Sequence, residues 1–98
     1  MEFKEKREGG VLTVAPIGQL DYQSAAEFKN FMSDKFEKVD SLIIDLGEVP
    51  YTSSAGLRVM FELDLLMKKH KGMKLINVND GIKEVLHMAK FDRFLNIE

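Results

Sequence analysis

The stretch that decides the fold is LIIDLGEVPYTSSAGLRV, residues Leu42–Val59. It begins with a short apolar run, Leu42–Leu46, whose length favours a buried strand over a helix. A hydroxyl-rich turn, Thr52–Ser54, then leads into a long amphipathic segment. Because a helix begins with unpaired backbone N–H groups that a serine oxygen can cap, this junction predicts a strand, a loop and a helix start. Three hydroxyls in a row exceed what capping requires, which makes the turn a candidate functional site.

The segment after the turn has the period of an amphipathic helix. Its apolar residues recur at helical spacing: Leu57, Met60, Leu63, Leu66 and Met67. We expect this helix to end near Lys71-Gly72, where a glycine suits a left-handed C-terminal residue.

The N-terminal third predicts a hairpin followed by a helix. Gly9-Gly10 separates two extended runs, Phe3–Arg7 and Val11–Ile17, and therefore indicates an antiparallel pair. The second run is apolar at nearly every position, as for a strand covered on both faces. A helix is expected from about Tyr22, with its start capped either by Asp21 or by a capping box of Ser24 and Glu27. Its apolar face contains these residues: Ala25, Phe28, Phe31, Met32 and Phe36.

The C-terminal third continues the alternation of strands and helices. Met73–Val78 is typical of a strand, and Asn79–Gly81 predicts a turn that caps a third helix. Phe94–Ile97 predicts a short last strand. The order β-β-α-β-α-β-α with short links predicts one α/β domain over residues 1–98, with helices packed on a mixed, mostly parallel sheet that starts with the antiparallel hairpin.

Composition limits the functions that this chain can perform. The formal net charge of −2 over 98 residues, without long blocks of either sign, argues against nucleic acid as a direct partner. The absence of cysteine excludes disulfides and thiolate metal sites. Apolar runs are far shorter than the roughly 20 residues that span a bilayer, and the N-terminus lacks a signal-peptide core. A soluble, cytoplasmic protein without a membrane partner is expected.

Catalytic and metal chemistry lack the residues that they need. A serine nucleophile requires a base, and the only histidines are His70 and His87. His70 lies more than four helical turns from Ser54 on the predicted helix, and no metal-ligand or phosphate-cradle spacing is present. We therefore expect no catalytic residue and no metal. The remaining interpretation is an exposed hydroxyl at a helix N-terminus, beyond the carboxyl end of a parallel strand, which suits a phosphate acceptor.

At this point the chain resembles the STAS-domain anti-sigma factor antagonists of bacteria over nearly its whole length. Four stretches carry the resemblance, and the central turn is the most specific of them: Gly18–Asp21, Leu42–Leu46 with Val49–Tyr51, Ser53–Val59 and Gly72–Leu75. In that family the phosphoacceptor serine lies two residues before the glycine of the turn, which corresponds to Ser54. Asp21 matches an aspartate that lies close to the phosphorylatable serine in relatives.

The resemblance implies a partner-switching cycle. The unphosphorylated protein would bind an anti-sigma factor that is also a serine kinase, and so free a sigma factor. The kinase would phosphorylate Ser54 with its own bound ATP, so this chain would need no cofactor, and a metal-dependent serine phosphatase of the PP2C type would restore the hydroxyl. The implied contact surface contains the following residues: Asp21, Thr52, Ser53, Ser54, Ala55, Gly56 and Arg58. The simple antagonist is expected to be a monomer or a weak dimer.

One departure from the family pattern keeps alternatives open. Many founding members carry an aspartate immediately before the phosphoserine, where this chain has Ser53, so Ser53 and Thr52 compete with Ser54 as acceptors. Two roles remain open for Asp21: it supplies the missing negative charge, or it acts only as a helix cap. Two other functions are compatible with the same fold: a stressosome-like scaffold or sensor component, and a small-ligand-binding STAS module. A small enzyme is the alternative from a different functional class.

Overall fold

The computed structural model describes residues 1–98 and contains five strands, three α-helices and one short 3-10 helix. In chain order they are β1 (Glu2–Glu8), β2 (Val11–Ile17), α1 (Tyr22–Met32), β3 (Ser41–Asp45), α2 (Ser54–Met67), β4 (Met73–Ile76), α3 (Asp80–Met88), the 3-10 helix Phe91–Arg93 and β5 (Asn96–Ile97). None of the helices is long and apolar enough to cross a membrane.

The sheet has the strand order β1-β2-β3-β4-β5. β1 and β2 are antiparallel and are joined by the Gly9-Gly10 turn, with Glu8 opposite Val11. The remaining pairs are parallel. The predicted α/β fold with a mixed, mostly parallel sheet and an N-terminal hairpin is confirmed.

The core lies on one face of this sheet. Along β2 buried residues alternate with half-exposed ones, and Leu12 and Val14 are fully buried. β3 shows the same alternation, with Leu42 and Ile44 buried. The prediction that β2 is covered on both faces is therefore wrong. Each parallel strand after β2 is added at the same edge of the growing sheet. Because the crossovers between parallel strands are right-handed, the helices that connect them all lie on one face of the sheet.

Two helices end earlier than the sequence predicts: α1 ends before Phe36, the last residue of its apolar pattern, and α2 ends before the glycine expected to close it. α1 stops at Met32, because the Ser33 hydroxyl and amide both donate to the Asn30 carbonyl oxygen (2.7 and 3.2 Å). Phe36 therefore packs against the core from a loop. α2 stops at Met67, before a turn in which the Lys71 amide donates to the Asp40 carbonyl oxygen (2.7 Å) and directs the chain into β4.

The short strands are also trimmed at their ends. β3 begins and ends one residue earlier than predicted, at Ser41 and Asp45. β4 stops at Ile76 because Asn77 takes a left-handed conformation (φ 55°). The Asn77 side-chain amide donates to the Asp45 carboxylate (3.0 Å), which fixes this bend. In the last segment only Asn96–Ile97 pairs with β4, and Phe94 stays outside the strand.

Candidate functional site

The loop after β2 and the turn before α2 are joined through their backbones. The Leu20 amide donates to the Tyr51 carbonyl oxygen (3.0 Å), and the Ser53 amide donates to the Leu20 carbonyl oxygen (2.8 Å). Leu20 and Thr52 thus form an isolated parallel bridge beyond the regular strands. This bridge brings Asp21, the next residue along the loop, to the same end of the sheet as the serine turn.

The two serines of the turn have different environments. Ser53 is the N-cap of α2: its hydroxyl oxygen accepts from the Gly56 amide (3.4 Å), and its carbonyl oxygen accepts from the Leu57 amide (3.1 Å). Ser54 is the first residue of the helix, is exposed, and its hydroxyl makes no hydrogen bond within the protein. The capping role and the free hydroxyl therefore belong to different serines.

Thr52 and Gly56 support the turn from inside. Thr52 is 1% exposed, and its hydroxyl donates to the Ser53 carbonyl oxygen (3.1 Å). Gly56 is buried against Thr52 and Leu20, and a Cβ on Gly56 would lie 2.9 Å from the Leu20 Cβ and still closer to the Thr52 hydroxyl oxygen. The absence of a side chain at Gly56 is what lets α2 approach the loop after β2. These two residues shape the surface from beneath, whereas Ser54 lies on it.

Asp21 caps α1. Its carboxylate accepts from the Ser24 amide (2.8 Å) and from the Ser24 hydroxyl (2.9 Å), while the Asp21 amide donates back to the Ser24 hydroxyl oxygen (2.9 Å). The capping box thus joins Asp21 with Ser24, and not Ser24 with Glu27. The backbone hydrogen bond from Ser24, followed by its side-chain hydrogen bond, lowers the pKa of Asp21 below its usual value. Asp21 is therefore a fixed negative charge at neutral pH.

This arrangement predicts how stability depends on pH. Because the folded-state pKa of Asp21 is lowered, its carboxylate stabilises the fold above the usual value of 3.8 and loses that effect as the pH falls through the lowered value. We expect Asp21→Ala to reduce the urea midpoint at pH 7 and the difference from wild type to shrink below about pH 4. Asp21→Asn keeps an acceptor and is the control. A difference between wild type and Asp21→Ala that stays constant down to pH 2 would contradict the capping role.

A shallow groove of about 460 Å³ lies between α1 and α2 beside Ser54. Small side chains, Ala25 and Ala26 from α1 and Ala55 from α2, line it. Tyr22 stands at its edge and is 84% exposed, and Tyr51, just before the serine turn, is 52% exposed. Large exposed aromatic side chains beside a shallow hollow are typical anchors for a protein partner.

Arg58 lies between this groove and a second hollow of about 470 Å³. Apolar residues of α2 and of the segment after α3 line the second hollow, among them Phe61 and Phe91, whose rings stack at 5.2 Å. Arg58 is exposed and forms no ion pair. The next carboxylate along the helix, Glu62, pairs instead with Lys29 of α1 (3.2 Å).

Neither histidine of the chain lies beside the serines. His70 is exposed in the turn after α2, at the opposite end of that helix from Ser54. His87 is exposed on α3 and pairs through Nδ1 with the Asp92 carboxylate (2.8 Å). No group of three or more histidine, cysteine, aspartate or glutamate side chains is arranged to hold a metal ion. What the site offers is a free hydroxyl on a partly apolar surface.

The residues predicted to form the contact surface, Asp21, Thr52–Gly56 and Arg58, lie at this end of the molecule, but sequence reasoning missed several neighbours. It did not identify Tyr22 or Tyr51 as exposed, because helical spacing places Tyr22 on the same face as the buried Ala25. The Lys29–Glu62 pair joins two helices, and no local pattern indicates it. The one signal in the sequence that could have indicated the exposure of Tyr22 is its position directly after the helix cap Asp21.

Comparison with known proteins gives a family and a fold. The family model described as "STAS domain" matches residues 3–98. A putative anti-sigma factor antagonist from Thermotoga maritima superposes with a TM-score of 0.89 at 23% identity, over 97% of this chain and 84% of that chain. An anti-sigma factor antagonist from Mycobacterium paratuberculosis gives 0.88 at 18% identity, over 98% and 83%.

The Bacillus cell fate determinant SpoIIAA in its phosphorylated form also shares the fold, with a TM-score of 0.74 at 13% identity, over 99% of this chain and 91% of that chain. A search of curated proteins finds no match. At these identities the solved structures establish a common fold. The match to the family model extends over nearly the whole chain, residues 3–98.

Proposed function

The chain belongs to the STAS domain family, and from that premise we propose that it is an anti-sigma factor antagonist switched by phosphorylation of Ser54. In its unphosphorylated form it binds an anti-sigma factor that is also a serine kinase, and thereby releases a sigma factor. Structural neighbours described as anti-sigma factor antagonists support this role. The protein itself is regulatory, not catalytic, and acts in the cytoplasm.

One observation carries the proposal. Ser54 presents an exposed hydroxyl without a hydrogen bond at the first position of α2, while the neighbouring Ser53 caps the helix. A kinase can therefore transfer a phosphate to Ser54 without removing the cap. The helix N-terminus tolerates the added charge of about −1.5 to −2, because its unpaired N–H groups favour anions.

The partner surface has a polar centre and apolar sides. Ser54 and Arg58 form the centre, and the two hollows beside them supply apolar area together with the exposed Tyr22. Asp21 contributes a fixed negative charge from the adjoining loop. The ATP comes from the partner kinase, and a metal-dependent phosphatase resets the cycle. We expect a monomer or weak dimer in solution, which gel filtration distinguishes from a large scaffold.

Mapping the phosphate tests the choice of residue. After incubation with the cognate kinase and ATP, fragmentation mass spectrometry is expected to find the phosphate on Ser54. The variant Ser54→Ala should remain unmodified. The matched variant Ser53→Ala should still be phosphorylated, although loss of the cap costs up to about 2 kcal/mol of stability. Phosphate on Ser53 or Thr52 in the wild-type protein would contradict the assignment.

A further inference from the structure

We propose that Arg58 binds the phosphate of phosphorylated Ser54 within the same molecule. The inference rests on the proposed function only in taking Ser54 as the modified residue. Phosphorylation would then do two things to the partner surface at once. It would add a doubly charged group, and it would withdraw the arginine at the centre of that surface from a docked partner.

The helical spacing supports this contact. Ser54 and Arg58 are four residues apart in α2, and residues at that spacing lie one above the other on the same face, with Cβ atoms about 5–6 Å apart. Because Cα–Cβ bonds tilt toward the helix N-terminus, the long side chain of Arg58 extends over the turn that contains Ser54. Both residues line both hollows, so they lie on the same exposed surface of α2.

Arg58 is also available for this role. It forms no ion pair within the protein. Glu62 lies four residues after Arg58 and would otherwise compete for its guanidinium group. Its carboxylate instead pairs with the Lys29 ammonium group (3.2 Å). Asp21 is committed to Ser24. A planar guanidinium offers paired donors that match phosphate oxygens, so Arg58 suits this group better than a lysine would.

The charges around the phosphate determine the sign of the effect. Arg58 and the N-terminus of α2 favour the dianion and lower the second pKa of the phosphate, whereas Asp21 and Glu62 act in the opposite sense. Lys29 neutralises Glu62. Removing the Arg58 charge is therefore expected to raise the pKa of the phosphate, which is about 6 for free phosphoserine.

Phosphorus NMR tests this without any partner protein. Phosphoserine is incorporated at position 54 during translation, and the phosphate resonance is titrated between pH 4 and 8. We expect Arg58→Gln to raise the second pKa of the phosphate by about 0.5 relative to the wild-type chain, and Arg58→Lys to raise it by less. In 1 M salt, where the screening length is about 3 Å, the difference should shrink.

A matched control removes a positive charge far from the site. Lys69 is exposed in the turn beyond the other end of α2, about 20 Å from Ser54 along a helix that rises 1.5 Å per residue. Lys69→Gln should leave the titration unchanged. Equal pKa values for wild type, Arg58→Gln and Lys69→Gln would overturn the proposal. Because the kinase is not used, that result would leave the role of Ser54 in partner switching intact, and failure of kinase mapping would leave this contact intact.

Discussion

Ser54→Asp is expected to weaken binding of the partner kinase by more than about a hundredfold, which corresponds to about 3 kcal/mol. The substitution puts a permanent negative charge at the centre of the proposed contact surface, at the same end of the sheet as the fixed charge of Asp21. A docked partner would have to desolvate that charge and bring its own surface against it. Isothermal titration calorimetry with the kinase bound to ADP measures the affinity.

Two variants make this test specific. Ser54→Ala removes only a hydroxyl that makes no hydrogen bond, so it should bind like wild type and resist phosphorylation. Ser53→Asp adds the same charge one residue earlier, where it replaces the capping serine with another favourable cap. We expect Ser53→Asp to keep its affinity. Equal losses in Ser53→Asp and Ser54→Asp would indicate a general charge effect instead of a switch at Ser54.

Gly56→Ala is expected to lower the free energy of unfolding by about 1–3 kcal/mol, as overpacking of a tight core does. The new Cβ would lie 2.9 Å from the Leu20 Cβ and closer still to the Thr52 hydroxyl oxygen. Both neighbours are buried and have no room to withdraw. Because this contact joins the loop after β2 to α2, the substitution should also displace Ser54 relative to Asp21. Urea denaturation measures the change in stability.

Gly81→Ala provides the matched control for this effect. Gly81 also lies in the first turn of a helix, but a Cβ there would meet only the Asn79 side-chain oxygen at 3.4 Å, an ordinary contact. Alanine favours helix over glycine by up to about 1 kcal/mol, so this variant should be neutral or slightly stabilised. If Gly56→Ala behaved like Gly81→Ala, the close approach at Gly56 would not be what holds the turn in place.

Much of the fold follows from local sequence signals. The Gly9-Gly10 pair predicts the hairpin, the short apolar run before the serine turn predicts a central strand, and the helical periodicity after it predicts α2. What local signals cannot supply is the order of strands in the sheet. An apolar run such as Val11–Ile17 suits a strand covered on two faces as well as one covered on a single face. Only the direction in which later strands are added decides between them.

The site shows the same division between local and tertiary information. The serine turn is visible in the sequence, but Ser53 and Ser54 are chemically identical residues one position apart. Their roles separate only once the helix start is fixed to a single residue. That start depends on Leu20, which lies 33 residues before Ser53 in the chain and whose carbonyl oxygen accepts a hydrogen bond from the Ser53 amide. The exposure of Tyr22 likewise depends on where α1 begins relative to the edge of the sheet.

Calorimetric titration of two forms of the wild-type chain tests the central claim most directly. One form is phosphorylated to completion by the kinase, and the other is the same material after treatment with the phosphatase. We predict that the phosphorylated form binds the kinase more than about a hundredfold more weakly and that phosphatase treatment restores the full affinity. Equal affinities of the two forms, with the phosphate mapped to Ser54, would contradict the account.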